Sequence, residues 1–318
     1  MDQPASDRPG KYALGVSVIV ATVFAMSFAD AIVKYVSADF PLWQIYVVRS
    51  LIAIPVIVAL LVASRRAVQV RPKSMGWTYL RSLLLALMYI AIYAGVPVLS
   101  LSVIAASLYT GPLFIALFSA VLIGEPVRPR QWIAIVMGFV GVLVILRPDT
   151  DAFSFAMLIP IVAALFYALA AVITRSKCAD EEPLVLALSL NFCLLAVGMA
   201  ATGLILLWNP TPSQEAVYPF LLGYWVLMGP REWAIIGLLA LLIVAIGVGL
   251  AKAYQSAPPP VIATFDYAYL IFAAFWSYVI FSEVPDVTTV LGMVLIAAAG
   301  LLVIHQPAPR NKPRQATA

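Results

Sequence analysis

Ten stretches of predominantly apolar sequence, each close to the length that crosses a lipid bilayer, use up nearly all of the 318 residues. They fall at 12–36, 42–63, 77–98, 102–123, 131–147, 153–174, 184–207, 233–256, 260–282 and 287–305. The hydrocarbon core of a bilayer is about 30 Å thick and an α-helix rises about 1.5 Å per residue, so a span needs about 20 apolar residues. The runs are continuous rather than alternating, which points to helices and away from a barrel. Only 11% of the residues are charged, against roughly 25% in a soluble domain, so lipid must be the main solvent. The expected fold is an all-α membrane protein of ten transmembrane helices. The first run is read as a span rather than a cleaved signal peptide, because it is too long for a signal core.

The basic residues set the orientation. With the N-terminus inside, fourteen Lys and Arg fall on inside segments (from Arg8 and Lys11 through Arg65, Arg66, Arg128, Arg130, Arg175 and Lys177 to Arg314). Three, Lys34, Arg147 and Arg231, fall outside, and Arg49 and Arg81 lie within spans. The positive-inside rule then puts both termini in the cytoplasm.

The chain also repeats itself. A shift of 158 residues lays Val103-Ile104-Ala105 on Val261-Ile262-Ala263, Tyr109 on Tyr267, Phe114 on Phe272, Ser119 on Ser277 and Glu125 on Glu283. Nine of 23 positions between 103 and 125 are identical under that shift. Earlier, a shift of 142 lays Phe24 on Phe166, Pro41 on Pro183 and Arg49 on Asn191. Matched Tyr, Ser, Glu and Pro are not what chance among aliphatic residues supplies. The expected organisation is a tail (1–11), two five-helix repeats (12–148 and 149–305) around a central cavity, and a second tail (306–318). Five is odd, so the halves insert in opposite senses, a plan suited to alternating access.

With the two five-helix halves, the Pro41–Arg49 spacing, Glu125 and Glu283 closing spans four and nine, and the glycines of spans five and ten, the chain resembles the drug/metabolite transporter superfamily, in its EamA-type ten-helix branch. The resemblance implies a cavity lined by spans one, three, four, six, eight and nine, with five and ten outside. It also implies a bacterial inner (plasma) membrane setting. Phe265-Asp266-Tyr267 and Ser282-Glu283-Val284-Pro285-Asp286 look like a bacterial subgroup that includes amino-acid exporters and carriers for S-adenosylmethionine. Asn191 stands opposite Arg49, so a role for Arg49 is not duplicated.

Charges within spans are costly, by at least about 2.5 kcal/mol on insertion scales, and mark function by default. Asp30 and Arg49 lie at the same depth, each about 9 Å below the outer end of its span, and Lys34 sits one turn above Asp30. Either an ion pair ties the first two helices, or these groups face the cavity. Asp266 lies about 9 Å from the inner end of span nine, near the depth of Lys252 and Arg81, with which it could pair, and its repeat partner is Leu108. Tyr89, Tyr93, Tyr109, Tyr167, Tyr267 and Tyr269 cluster on cavity-type spans, where an apolar ring with a polar tip suits a mid-sized solute. Tyr35, Trp43, Trp77, Trp132, Trp208 and Trp233 read as interfacial anchors, and 219–228 as an interfacial helix. Gly111-Pro112 and Pro160 are candidate hinges, and Gly138, Gly141, Gly292 and Gly300 permit close helix approach, within the fold or at a homodimer face.

No Walker A sequence, metal-ligand spacing or DNA-binding motif is present, and no cofactor is called for. The two cysteines suggest neither a disulfide framework nor a metal site. The leading expectation is a secondary carrier or facilitator, monomer or homodimer, that exports amino acids or related small metabolites. Uptake of a larger cationic metabolite such as S-adenosylmethionine is the second. An intramembrane enzyme is the third, and it lacks a catalytic cluster at one depth.

Overall fold

The structure, a computed structural model, describes residues 9–36, 40–63, 71–95, 107–125, 127–146, 158–282 and 284–304. Its helices are α1 (Pro9–Val36), α2 (Leu42–Ala63), α3 (Met75–Gly95), α4 (Gly111–Leu122), α5 (Pro129–Leu146), α6 (Leu158–Ser176), α7 (Pro183–Trp208), the short α8 (Pro212–Val217) and α9 (Pro219–Leu222), α10 (Pro230–Ser256), α11 (Pro259–Asp266), α12 (Ala268–Phe281) and α13 (Val287–Ile304). No strand occurs among the described residues. Seven helical stretches are long and apolar enough to cross a membrane, the seventh being α11 and α12 together as Pro259–Phe281. Three shorter apolar helices, α4, α5 and α13, accompany them. The chain is thus an all-helical integral membrane protein.

Local chemistry explains where the helices begin and end. Pro129, Pro183, Pro230 and Pro259 each open a helix, where the missing N–H costs no bond. After Trp208 the chain turns left-handed at Asn209 (φ 50°), whose N–H returns to the Ile205 carbonyl. Ser282 (φ 57°) ends α12 in the same way. The stretch expected as one interfacial helix at 219–228 is helical only over Pro219–Leu222 and then continues without regular structure to Gly229. Side-chain bonds hold it there: Gln44 of α2 donates to the Val226 carbonyl at 2.7 Å and accepts the Val226 N–H at 2.9 Å. Trp43, expected as a lipid anchor, instead donates its indole N–H to the Leu221 carbonyl at 2.8 Å.

Among the described residues, the span Pro259–Phe281 is interrupted at Tyr267, between α11 and α12, where no proline stands. Its match under the 158-residue shift is Tyr109, which also lies in a turn, just before α4 begins at Gly111-Pro112. The break in expected span four therefore lies at Tyr109–Thr110, just before Gly111-Pro112 rather than at the proline. Pro160 sits in the first turn of α6 and does not kink it.

Helix pairs recur in matching form. α1 packs along α10, and α6 along α3. α1 also packs on α11 and α12, and α6 on α4. α2 pairs with α7, and α5 pairs with α13. A central core takes Ile19 and Val23 from α1, Ile115 from α4, Ala168 and Ala171 from α6, Tyr254 from α10, and Ile262 and Phe265 from α11. The α5–α13 crossing is glycine on glycine. A Cβ on Gly141 would stand 2.9 Å from the Gly292 carbonyl oxygen, and one on Gly292 would stand 2.6 Å from that of Gly141. Gly138 takes the Tyr267 ring and Gly300 the Phe265 ring. All four glycines thus serve contacts inside this chain.

Without a hydrophobic drive between helices in lipid, such close backbone approach supplies much of the association. Replacing Gly292 by Leu is expected to cost about 1–3 kcal/mol of stability through overpacking. Gly203→Leu, where nothing lies within 4 Å of the added carbon, should be near neutral. Thermal unfolding of both variants in detergent checks the pair.

Candidate functional site

Two acidic centres lie inside the bundle. The first is a pocket between α1, α2, α3 and α10. It is lined by Met26, Ala29, Asp30 and Val33, by Tyr46 and Arg49, by Tyr89, and by Leu239, Ile243 and Ile246. Asp30 and Arg49 share this pocket without forming an ion pair with each other. Asp30 Oδ2 instead accepts the Tyr269 hydroxyl at 2.8 Å. The Arg49 guanidinium sits over the Tyr46 ring, 5.2 Å from its centroid, and its Nε has no acceptor. Tyr46 in turn meets Tyr89 edge to face at 6.4 Å. An acid and a guanidinium held apart across one aromatic-walled pocket can each take an opposite charge from a solute.

The second centre is Asp266, the last residue of α11, only 8% exposed. Its Oδ2 accepts two hydroxyls, from Tyr167 of α6 and Tyr254 of α10, both at 2.8 Å. The two hydroxyls are 3.2 Å apart, and Asp266 Oδ1 accepts nothing. The expected pairing with Lys252 or Arg81 is not formed: Lys252 is exposed, and Arg81 donates from Nε to Thr174 Oγ1 at 2.6 Å. Counting residues along a span gives depth but not direction around the helix, and these cations point elsewhere.

Beyond Arg81 the helix ends are tied together. Arg175 Nε donates to Glu125 Oε1 at 2.9 Å and Nη1 to the Gln255 carbonyl at 3.0 Å. Gln255 donates to the carbonyls of Cys178 and Glu181. Glu181 accepts the backbone N–H groups of Lys73 and Ser74. The network joins the ends of α3, α4, α6 and α10 and closes this face. Burial pushes the Cys178 thiol up from its ordinary value, against the opposing Arg81 charge, so it stays a neutral thiol rather than a nucleophile.

Of the residues expected from sequence, Asp30, Arg49 and Tyr89 come together in the pocket, and Tyr269 reaches it through Asp30. Tyr109 stacks near both Tyr267 and Tyr269, with centroids 6.1 and 6.2 Å away. Tyr167 belongs to the Asp266 centre. Tyr267 does not face a cavity: it is fully buried against α5, next to Val142. The side chains of Lys34 and Tyr93, and all of Glu283, lie outside the described residues. Tyr46 and Tyr254 were not anticipated. Tyr46 had a usable signal, since it precedes Arg49 by three residues and shares its helix face.

A lipid-embedded helical bundle that turns acids, arginines and tyrosine hydroxyls inward is suited to passing a polar solute. The chain matches the EamA-like transporter family over residues 13–147. It is similar to the pseudopaline exporter of Pseudomonas aeruginosa, at 29% identity over 90% of this chain and 94% of the relative. A riboflavin transporter of Vibrio cholerae is 28% identical, over 86% of each chain. An S-adenosylmethionine uptake transporter of Rickettsia prowazekii is 27% identical over 61% of this chain and 60% of its own. A protein crystal structure shares the fold with a TM-score of 0.72, at 18% identity over 93% of this chain and 96% of that one.

Asp30→Asn tests the pocket. The variant keeps the shape of the side chain and its bond to Tyr269, so normal expression and melting are expected. Transport should fall by about tenfold or more, the effect of losing one charge-assisted bond to a solute. Loss of folded protein would instead make Asp30 a structural tie.

Proposed function

We propose that this transporter exports amino acids or closely related zwitterionic metabolites by alternating access, from two inverted five-helix halves, residues 12–148 and 149–305. The carrying observation is the pocket in which Asp30 and Arg49 stand unpaired with each other. An α-ammonium matches Asp30, a carboxylate matches the Arg49 guanidinium, and the rings of Tyr46 and Tyr89 suit a partly apolar side chain. The plan of two halves is supported by the sequence repeat and by packing that maps onto itself when they are exchanged: α1–α10 with α3–α6, and α2–α7 and α5–α13 with themselves. The face closed by Arg175 and Glu125 is assigned to the cytoplasm of a bacterial inner membrane, with both termini there, because basic residues concentrate on that side. This arrangement is then an inward-closed state. Export down a gradient needs no coupling ion.

The second reading is uptake of a nucleoside-bearing amino acid such as S-adenosylmethionine. The aromatic pair Tyr46–Tyr89 favours it, as does the similarity to transporters of that name.

Proteoliposome counterflow decides between them. Labelled L-amino acids are expected to exchange chemically unchanged. Decarboxylated and N-acetylated analogues should compete about tenfold or more weakly, because each loses one charged partner. Exchange of S-adenosylmethionine with no exchange of simple amino acids would favour the second reading. Exchange of neither would overturn both.

A further inference from the structure

We propose that Asp266 and Arg81 form a second station for the same zwitterionic cargo, nearer the closed face and separate from the Asp30–Arg49 pocket; the proposal rests on the amino-acid reading above. Each carries an unmade bond. Asp266 Oδ1 is buried and accepts nothing, while Oδ2 takes the hydroxyls of Tyr167 and Tyr254. Arg81 is 2% exposed, its Nε bonded to Thr174 and its Nη1 buried without an acceptor. Charged groups held from water with bonding capacity unused are costly, and such a group inside a membrane protein is a functional site by default.

The two groups share one strip of one helix. Tyr167, which holds Asp266, and Thr174, which holds Arg81, are seven residues apart on α6. Seven residues are two turns, so both lie on the same face, on the order of 10 Å apart along the axis. An acid with a free acceptor and a guanidinium with a free donor therefore flank one stretch of α6. That combination recognises an ammonium and a carboxylate on one molecule, as Asp30 and Arg49 do in the first pocket.

The order along the bundle is that of a path. Asp30 accepts from Tyr269, which follows Asp266 by three residues across the break at Tyr267. Beyond Arg81, Arg175 adjoins Thr174 in sequence and bonds Glu125 at the closed face. Cargo passing between the first pocket and that latch meets Asp266 and Arg81 on the way. Both free atoms are sealed from water here, so the station belongs to the alternate state, which a ligand favours by binding it better.

The test uses full-length protein in proteoliposomes with a radiolabelled mixture of the common L-amino acids, read by equilibrium binding and by counterflow. In Asp266→Asn and Arg81→Gln, binding through the first pocket should stay within about twofold of wild type while counterflow falls about tenfold or more. In Arg81→Gln, amines lacking a carboxylate should gain on amino acids as competitors, which a merely structural role would not produce. Wild-type counterflow in both variants overturns the station and leaves the amino-acid reading standing. Absence of binding and flux in the wild type overturns that reading, and the station with it. If the neutral variants do not assemble, Asp266→Glu and Arg81→Lys, which keep charge and burial, decide. The station then predicts about threefold or greater loss of counterflow at unchanged binding, and wild-type flux in both overturns it.

Discussion

Carboxylates inside this bundle are held by tyrosine hydroxyls, and the rest of the interior is arranged around that fact. Asp266 takes two such hydroxyls and Asp30 takes one. A carboxylate in a lipid-shielded bundle needs donors, and an arginine or lysine would satisfy it as an ion pair. Hydroxyls satisfy it only in part. The guanidiniums of Arg49 and Arg81 also keep unfilled positions. The bundle thus keeps both signs of charge available to something else. The same segment serves both acids: α11 delivers Asp266, the chain breaks at Tyr267, and α12 turns Tyr269 toward α1.

The break depends on its surroundings. Tyr267 is seated against α5 where Gly138 leaves room for its ring. About one turn away, α5 and α13 meet through Gly141 and Gly292, so the platform behind the break is a close backbone contact. At one end Gln44 and Trp43 bind the 221–226 segment, and at the other Arg175, Glu125, Gln255 and Glu181 tie four helix ends. The break at Tyr267 therefore lies between elements held by close packing and by hydrogen bonds.

Much of the architecture was legible in sequence because lipid imposes length. The runs at 42–63 and 184–207 correspond to α2 (Leu42–Ala63) and α7 (Pro183–Trp208) almost residue for residue. Asp30, Arg49 and Tyr89 stood out for a similar reason, since polar groups are conspicuous in apolar runs, and they do share a pocket. The partners of Asp266 were not legible. Depth singled out Lys252 and Arg81, but which way a side chain faces depends on packing that no single span encodes. Tyr254 carried no signal, being one tyrosine near a helix end. The break at Tyr267 lacked a proline, although its match to Tyr109, two residues before Gly111-Pro112, was available as a clue.

We propose that the bundle reserves opposite charges for one zwitterion. Thermal unfolding of the purified protein tests it most directly, because a ligand that binds only the folded state raises the melting temperature. An amino acid carried by the protein should raise it in a concentration-dependent way. The matching amine without its carboxylate, and the matching N-acetyl acid, should each raise it far less. Equal stabilisation by the amine alone would contradict the account, since one acid would then suffice and the paired arginines would have no part in recognition.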